Sequence, residues 1–159
     1  MERQTILDML RRTAQDVQRY VNEIPVERLH WHEPGEWSAH ETLAHIVDVE
    51  RHVYLHRMQR VVEEDHPTLK YFDEKAWHDA HYDPKRPVAE MLSDFANARA
   101  QEITLLESQP DWERWGLHEQ LKKRYSLGFM AHFAFRHNWE HLNQIGGTQI
   151  AYELAHQEG

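Results

Sequence analysis

Apolar residues recur at helical spacing through four long stretches, and no stretch alternates in the manner of a strand. Ile6, Leu7, Leu10, Ala14, Val17, Tyr20, Val21 and Ile24 keep the period until Pro25 stops it. A second helix opens at Ser38, where Glu41 completes an S-x-x-E capping box. It runs through Leu43, Ile46, Val47, Val53, Tyr54 and Met58 to about Val62. Pro87, at a first helical position, starts the third, which carries Val88, Met91, Leu92, Phe95, Ala98, Ile103 and Leu106. Ser126 caps a fourth that reaches Ile145, where Gly146-Gly147 is expected to interrupt it before a shorter tail to Ala155. Four amphipathic helices must bury their stripes against one another. The pattern therefore predicts an all-α fold, a four-helix bundle spanning residues 1–159 as one domain. Two longer connections join the helices, and the aromatic and charged one over 68–86 is expected to hold a short helix.

The fourth helix carries the strongest chemical signal. His137 and His141 are one helical turn apart and share an arc with Met130, Phe133, Ala134 and Ile145. Residues i and i+4 are neighbours, so two imidazoles can close on one ion. Burying them among apolar side chains is costly unless their nitrogens are satisfied. A metal satisfies them; so do hydrogen bonds to carbonyls or carboxylates in an ordinary core. His132, Arg136, Glu140 and Asn143 fall on a polar side, while Gln144 returns to the histidine face, where it can bond a ligand imidazole, a water or a substrate.

A zinc-like site wants a third ligand from another helix. His45 is the candidate, at the margin of the apolar arc of the second helix, with His52 and His56 as substitutes on a similar side. Asp48 and Glu50 are candidate acid–base groups near it, although charged residues of such a helix usually face water. Trp31 and Trp37 can line a cleft mouth or simply close the bundle end. Three rival sites fail on spacing. Asn138 follows His137 where a zinc protease needs glutamate. The Glu-x-x-His pairs Glu63–His66 and Glu153–His156 sit at helix ends, unlike those of di-iron bundles. A bis-histidine haem takes its ligands from facing helices rather than from one turn.

Composition removes other classes. A formal charge of −9 argues against nucleic acid as partner. The absence of cysteine excludes thiolate ligands and a protein thiol nucleophile, so any thiol chemistry needs a small-molecule thiol. The chain opens Met1-Glu2-Arg3-Gln4 without a signal-peptide core, and no apolar run approaches a membrane span; a soluble cytoplasmic protein is expected.

These motifs together resemble the DinB-like (YfiT-like) metalloenzymes, over essentially the whole chain. The resemblance rests on Trp37-Ser38 followed by Glu41-Thr42-Leu43-Ala44-His45-Ile46, on Arg99 in the third helix, and on His137-x-x-x-His141-Leu142-x-Gln144-Ile145. It implies a four-helix bundle in which His45, His137 and His141 coordinate one divalent metal, zinc foremost, with nickel, iron or manganese as alternatives. Gln144 and Asp48 are expected to touch a ligand histidine, a bound water or the substrate. It also implies a small-molecule substrate and either hydrolysis or S-transfer with a low-molecular-weight thiol cosubstrate. The alternative is a non-catalytic metal- or ligand-binding bundle with a stress or sensing role.

One stripe remains. Phe135, Trp139 and Leu142 lie almost opposite the histidine face, and one helix cannot turn both faces to the same core. The stripe packs on the 68–82 connection, on the 110–118 segment or on a second copy, and a two-fold homodimer is the reading adopted.

Overall fold

The four expected helices form, and they pack as a ring rather than in chain order. A computed structural model describes residues 2–157; residues 1, 158 and 159 of the expected 1–159 domain lie outside the described residues. The bundle consists of α1 (Arg3–Asn22), α2 (Ala39–Val49) prolonged by a π turn (Glu50–Leu55) and α3 (His56–Glu63), α5 (Val88–Ser108) and α6 (Leu127–Ala155). The short helix of the long connection is α4 (Glu74–His81). α1 and α2 each pack against both α5 and α6, so these consecutive helices occupy opposite corners.

Serine caps start α2 and α6. The Ser38 side chain accepts from Glu41 N–H, and the Glu41 carboxylate accepts from Ser38 N–H, forming the expected capping box. Ser126 accepts from Phe129 N–H at the head of α6. Pro87 is the cap itself, and the first helical residue is Val88.

Three sequence expectations need correction. The second helix is not uniformly α-helical: at Glu50–Leu55 it widens into a π turn. The residue gained per turn rotates the face, so Val53, Tyr54 and Leu55 are all buried and Glu50 is turned fully inward. α6 runs unbroken through Gly146-Gly147. A Cβ on Gly146 would meet only Tyr20 Oη, at 3.5 Å, and one on Gly147 nothing, so the helix tolerates a cost of ~1 kcal/mol per glycine because its flanking turns are packed. The fold also has strands, β1 (Thr68–Leu69), β2 (Trp115–His118) and β3 (Arg124–Ser126), in the order β1-β2-β3. β1 is parallel to β2, and β3 antiparallel to it. Such short strands are too brief to show alternation in sequence. Gly116 is what lets β1 pair: a Cβ there would lie 2.7 Å from Leu69 Cγ and 2.9 Å from the Pro67 carbonyl oxygen.

The interior is two apolar clusters with a polar layer between them. One contains Leu10, Val53, Met58, Leu106, Trp112, Leu127 and Met130; the other contains Val17, Leu43, Ile46, Met91, Phe95 and Ile145. The layer is Arg99, Glu50, Glu102 and Asn138, each essentially inaccessible. Arg99 Nε donates to Glu50 Oε1 at 2.5 Å and to Glu102 Oε2 at 3.1 Å, and Nη1 donates to the Leu10 carbonyl at 2.9 Å. One guanidinium faces two carboxyls. Burial and the neighbouring Glu50 push the Glu102 carboxyl well above the usual carboxylate range, so Glu102 keeps its proton and the layer stays near neutral.

Candidate metal centre

The histidines stand at the edge of that polar layer. His45 comes from α2, and His137 and His141 from adjacent turns of α6. One nitrogen of each lies within 4.8 Å of the others. His45 Nε2 and His137 Nε2 are 3.2 Å apart, and the His141 ring centroid is 4.5 Å from that of His45 and 4.4 Å from that of His137. Two nitrogens bonded at ~2.1 Å with tetrahedral angles sit ~3.4 Å apart, so the spacing suits a first-row divalent ion. His45 is buried rather than marginal, because α2 is enclosed on nearly every side.

Neighbouring residues fix the tautomers. The Asn138 amide nitrogen donates to Glu50 Oε2 at 2.9 Å, which turns the Asn138 oxygen toward His137 Nδ1 at 3.3 Å. Nδ1 is then the protonated nitrogen, and Nε2 is left with its lone pair toward the other rings. Gln144 Oε1 accepts from His141 Nδ1 at 2.8 Å and acts on that ring in the same way. Burial holds both His45 and His137 down to about 3; nearby histidines, His141 first, add to the effect. His141 is lowered mainly by burial, against the Gln144 hydrogen bond. Neutral imidazole is the form that binds a metal.

The mouth is an open cleft of about 400 Å³, walled by Trp37, Glu74, Lys75 and Gln144. The Trp37 ring lies 5.1 Å from His45 and stacks at 4.3 Å on His78. Trp31 is elsewhere, against Tyr152 at the bundle end. Glu74, the first residue of α4, reaches across so that its Oε2 lies 3.5 Å from His45 Nε2. Burial raises its carboxyl, with Arg57 opposing. α4 is held there by the Asp73 cap on Ala76 N–H and by Trp77 Nε1 donating to Asp48 Oδ2 at 3.1 Å.

That last bond locates Asp48. It lies outside the histidine cleft, bonded to Trp77, with Arg86 Nη1 3.9 Å away, so it anchors α4 instead of meeting the rings. His52 packs on Trp77 and Phe72, and His56 is exposed; neither joins the cluster. Glu50, expected to face water, is fully buried. His132, Arg136, Glu140 and Asn143 form the polar side as read, whereas Phe133 is 37% exposed at the rim. Sequence reasoning missed Glu74, whose approach depends on how a long connection folds back, and the role of Asn138, adjacent to His137 but noticed only as a motif failure. The Asp73-Glu74 helix start was the one available signal.

The fold is similar to that of YfiT from Bacillus subtilis, described as a probable metal-dependent hydrolase with an unusual four-helix bundle topology. The TM-score is 0.83 at 17% identity, covering 96% of this chain and 90% of that one. At that identity the likeness speaks for the fold. No curated protein matches the sequence. No helix among the described residues is long and apolar enough to cross a membrane. The DinB superfamily model matches residues 9–145, and the chain belongs to that superfamily.

Proposed function

We propose that His45, His137 and His141 hold one divalent metal ion, zinc foremost, and that the chain is a metal-dependent enzyme hydrolysing a small molecule in the open cleft. The observation that carries this is the convergence of three imidazoles, His45 and His137 buried and His141 half-buried, with Asn138 and Gln144 setting the tautomers of His137 and His141. A structural zinc site is closed by four protein ligands; three histidines opening on a cleft suit catalysis. When bound, the ion supplies Lewis acidity and lowers the pKa of a coordinated acid.

The remaining work falls to side chains. Glu74 Oε2, beside His45 Nε2, takes the proton of the nucleophile entering the cleft and returns it to the leaving group. Asn138 and Gln144 keep His137 and His141 pointing at one place through the cycle. Trp37 walls the cleft, and His78 stacks behind its ring and holds it in place. YfiT, described as a probable metal-dependent hydrolase, supports the hydrolytic reading. A second reading, S-transfer, fits the same geometry: the Glu74 carboxylate can deprotonate a low-molecular-weight thiol as the incoming nucleophile, the protein having no thiol of its own.

Calorimetric titration of untagged, metal-free protein with Zn²⁺ tests the site, and an ester and thioconjugate panel run with and without added thiol tests the chemistry. One zinc per chain, lost in His137→Ala/His141→Ala, together with metal-dependent turnover, is expected. Unchanged zinc stoichiometry in that double variant overturns the site. A filled site that turns over nothing on the panel favours the non-catalytic binding role.

A further inference from the structure

A second, smaller cavity adjoins the histidine cleft. Its volume is about 160 Å³, and its walls are aromatic: Tyr54, Tyr71, Phe72, Tyr125, Phe129 and Phe133. It shares Glu74 with the cleft, and the Tyr54 ring lies 5.6 Å from that of His137. The cavity therefore opens beside the ligand cluster. Three of its walls, Tyr71, Phe129 and Phe133, are 47%, 43% and 37% exposed, although each is large and apolar. Clustered exposure of that kind marks a binding site more often than a packing fault.

Its polar groups are few and unevenly placed. Arg57 lines it, and that guanidinium makes a single hydrogen bond, to the Lys70 carbonyl at 2.8 Å. No carboxylate pairs with Arg57 within salt-bridge distance among the described residues, while the other arginine in the interior, Arg99, has two. A guanidinium has five donor N–H groups, so most of the capacity of this half-buried side chain is free for a ligand. Burial lowers its pKa, with Tyr125, Tyr54 and Glu74 opposing. His118 adds a donor: its Nδ1 accepts from Leu121 N–H at 3.3 Å, which leaves the proton on Nε2. Glu74 also lines the cavity, beside the histidines, where it repels an anion.

We propose that this cavity is a substrate subsite for a small carboxylate of about benzoate size. Its ring or branched acyl body lies among the aromatic walls, its carboxylate on Arg57 and its reacting end past Glu74 at the histidines. The assignment of a reacting end rests on the metal-centre reading above; the binding of the carboxylate does not. The volume suits the body of the ligand, since a closed apolar cavity of ~150 Å³ accepts benzene. The charge pattern gives direction: a ligand carboxylate turns to Arg57 and away from Glu74.

Benzoate and benzyl alcohol, equal in shape and different in charge, are the probes. Calorimetric titration of metal-free protein should show benzoate binding at least ~10-fold more tightly, the value of a charge-assisted bond in an enclosed site. Arg57→Met should remove that preference while leaving benzyl alcohol little changed, and Arg57→Lys should retain part of it. Amide shifts in the unsubstituted protein locate the probe whether or not the variants fold, and they should centre on Tyr71, His118 and Phe133. Equal affinity for the two probes, undiminished benzoate binding in Arg57→Met, or shifts centred elsewhere overturns the subsite. Zinc titration of Arg57→Met separates the two readings: one zinc per chain with the preference lost supports both. Zinc binding intact with no benzoate preference in the unsubstituted protein overturns the subsite alone.

Discussion

The Nε2 atoms of His45 and His137 lie 3.2 Å apart across 92 residues of sequence, with the proton of His137 directed away from that contact by Asn138. Two lone pairs so close are mutually unfavourable unless a proton or a cation lies between them. A proton on His45 Nε2 or a bound cation resolves that contact, and the fold holds the rings ready for either.

The first prediction concerns acid. His45 and His137 sit at about 3 in the folded protein, against ~6.5 when unfolded, so below pH 6.5 the unfolded chain binds more protons. Stability of the metal-free protein is therefore full above ~6.5 and is lost as pH falls toward 3, by about 2 kcal/mol per histidine at pH 5. Ordinary imidazoles would also surrender their metal below ~6.5. Here burial moves proton competition at the folded site to more acid pH. Zinc should accordingly raise Tm at pH 5.5 nearly as much as at pH 7.5, while the metal-free Tm drops between them. Thermal melts at the two pH values, with and without zinc, check both. A zinc-induced shift that vanishes at pH 5.5 would contradict the burial of these rings.

Asn138→Leu and Gln144→Leu should each weaken zinc by roughly 10–100-fold, the usual cost of losing a bond that orients a ligand ring. Asp48→Asn should not weaken zinc, because Asp48 bonds Trp77 outside the cleft. Competition with a fluorescent chelator measures all three. A large loss in Asp48→Asn would place the α4 anchor inside the metal linkage.

Much of this arrangement was legible in the chain. The helical period, the Ser38–Glu41 box and the Ser126 cap give the bundle, because they are local properties of a helix. The His137/His141 pair is legible for the same reason. His45 needed the family resemblance, since α2 is enclosed on so many sides that no single arc stands out. Glu74 and the sheet depend on how residues 64–87 and 109–126 fold back over the bundle. No period records that. The π turn is hidden likewise: it forms where Glu50 meets Arg99, a contact 49 residues long-range.

Arg99→Met should destabilise the protein by about 3–5 kcal/mol, since it strands Glu50 and Glu102 in the interior. Arg99→Lys should recover little, because an ammonium cannot reach Glu50, Glu102 and the Leu10 carbonyl together. Urea denaturation gives both values. A near-neutral Arg99→Met would mean that the buried layer does not depend on the guanidinium.

Glu74→Gln should keep one zinc per chain and lose turnover on any panel substrate by roughly 10²–10⁴-fold, the contribution of a general base. The amide keeps size and polarity without accepting a proton at pH 7, so the loss should fall on kcat more than on KM. Steady-state kinetics of the zinc-loaded protein decide it. Full activity in the variant would remove Glu74 from the proton path.

The last prediction returns to the outer side of α6. Phe135 and Leu142 are half-buried, packed on the clusters containing Leu10 and Val17 respectively, so they need no partner. Trp139 is different: it is 55% exposed beside a groove of about 560 Å³ that also includes Tyr20, Leu142 and Gly146. Ile150 and Leu154 are 62% and 64% exposed on the same helix. At ~100° per residue these two fall within about 60° of Trp139, so the three form one apolar strip along α6. A strip is self-complementary under two-fold rotation, and like strips crossing on α6 would bury all three side chains at ~1.5–3 kcal/mol each. A homodimer through α6 is the expected state at micromolar concentration, and Trp139→Glu should give a monomer with zinc binding unchanged. Sedimentation velocity on both proteins checks this. An unsubstituted protein that sediments as a monomer would leave Trp139 a solvated surface residue.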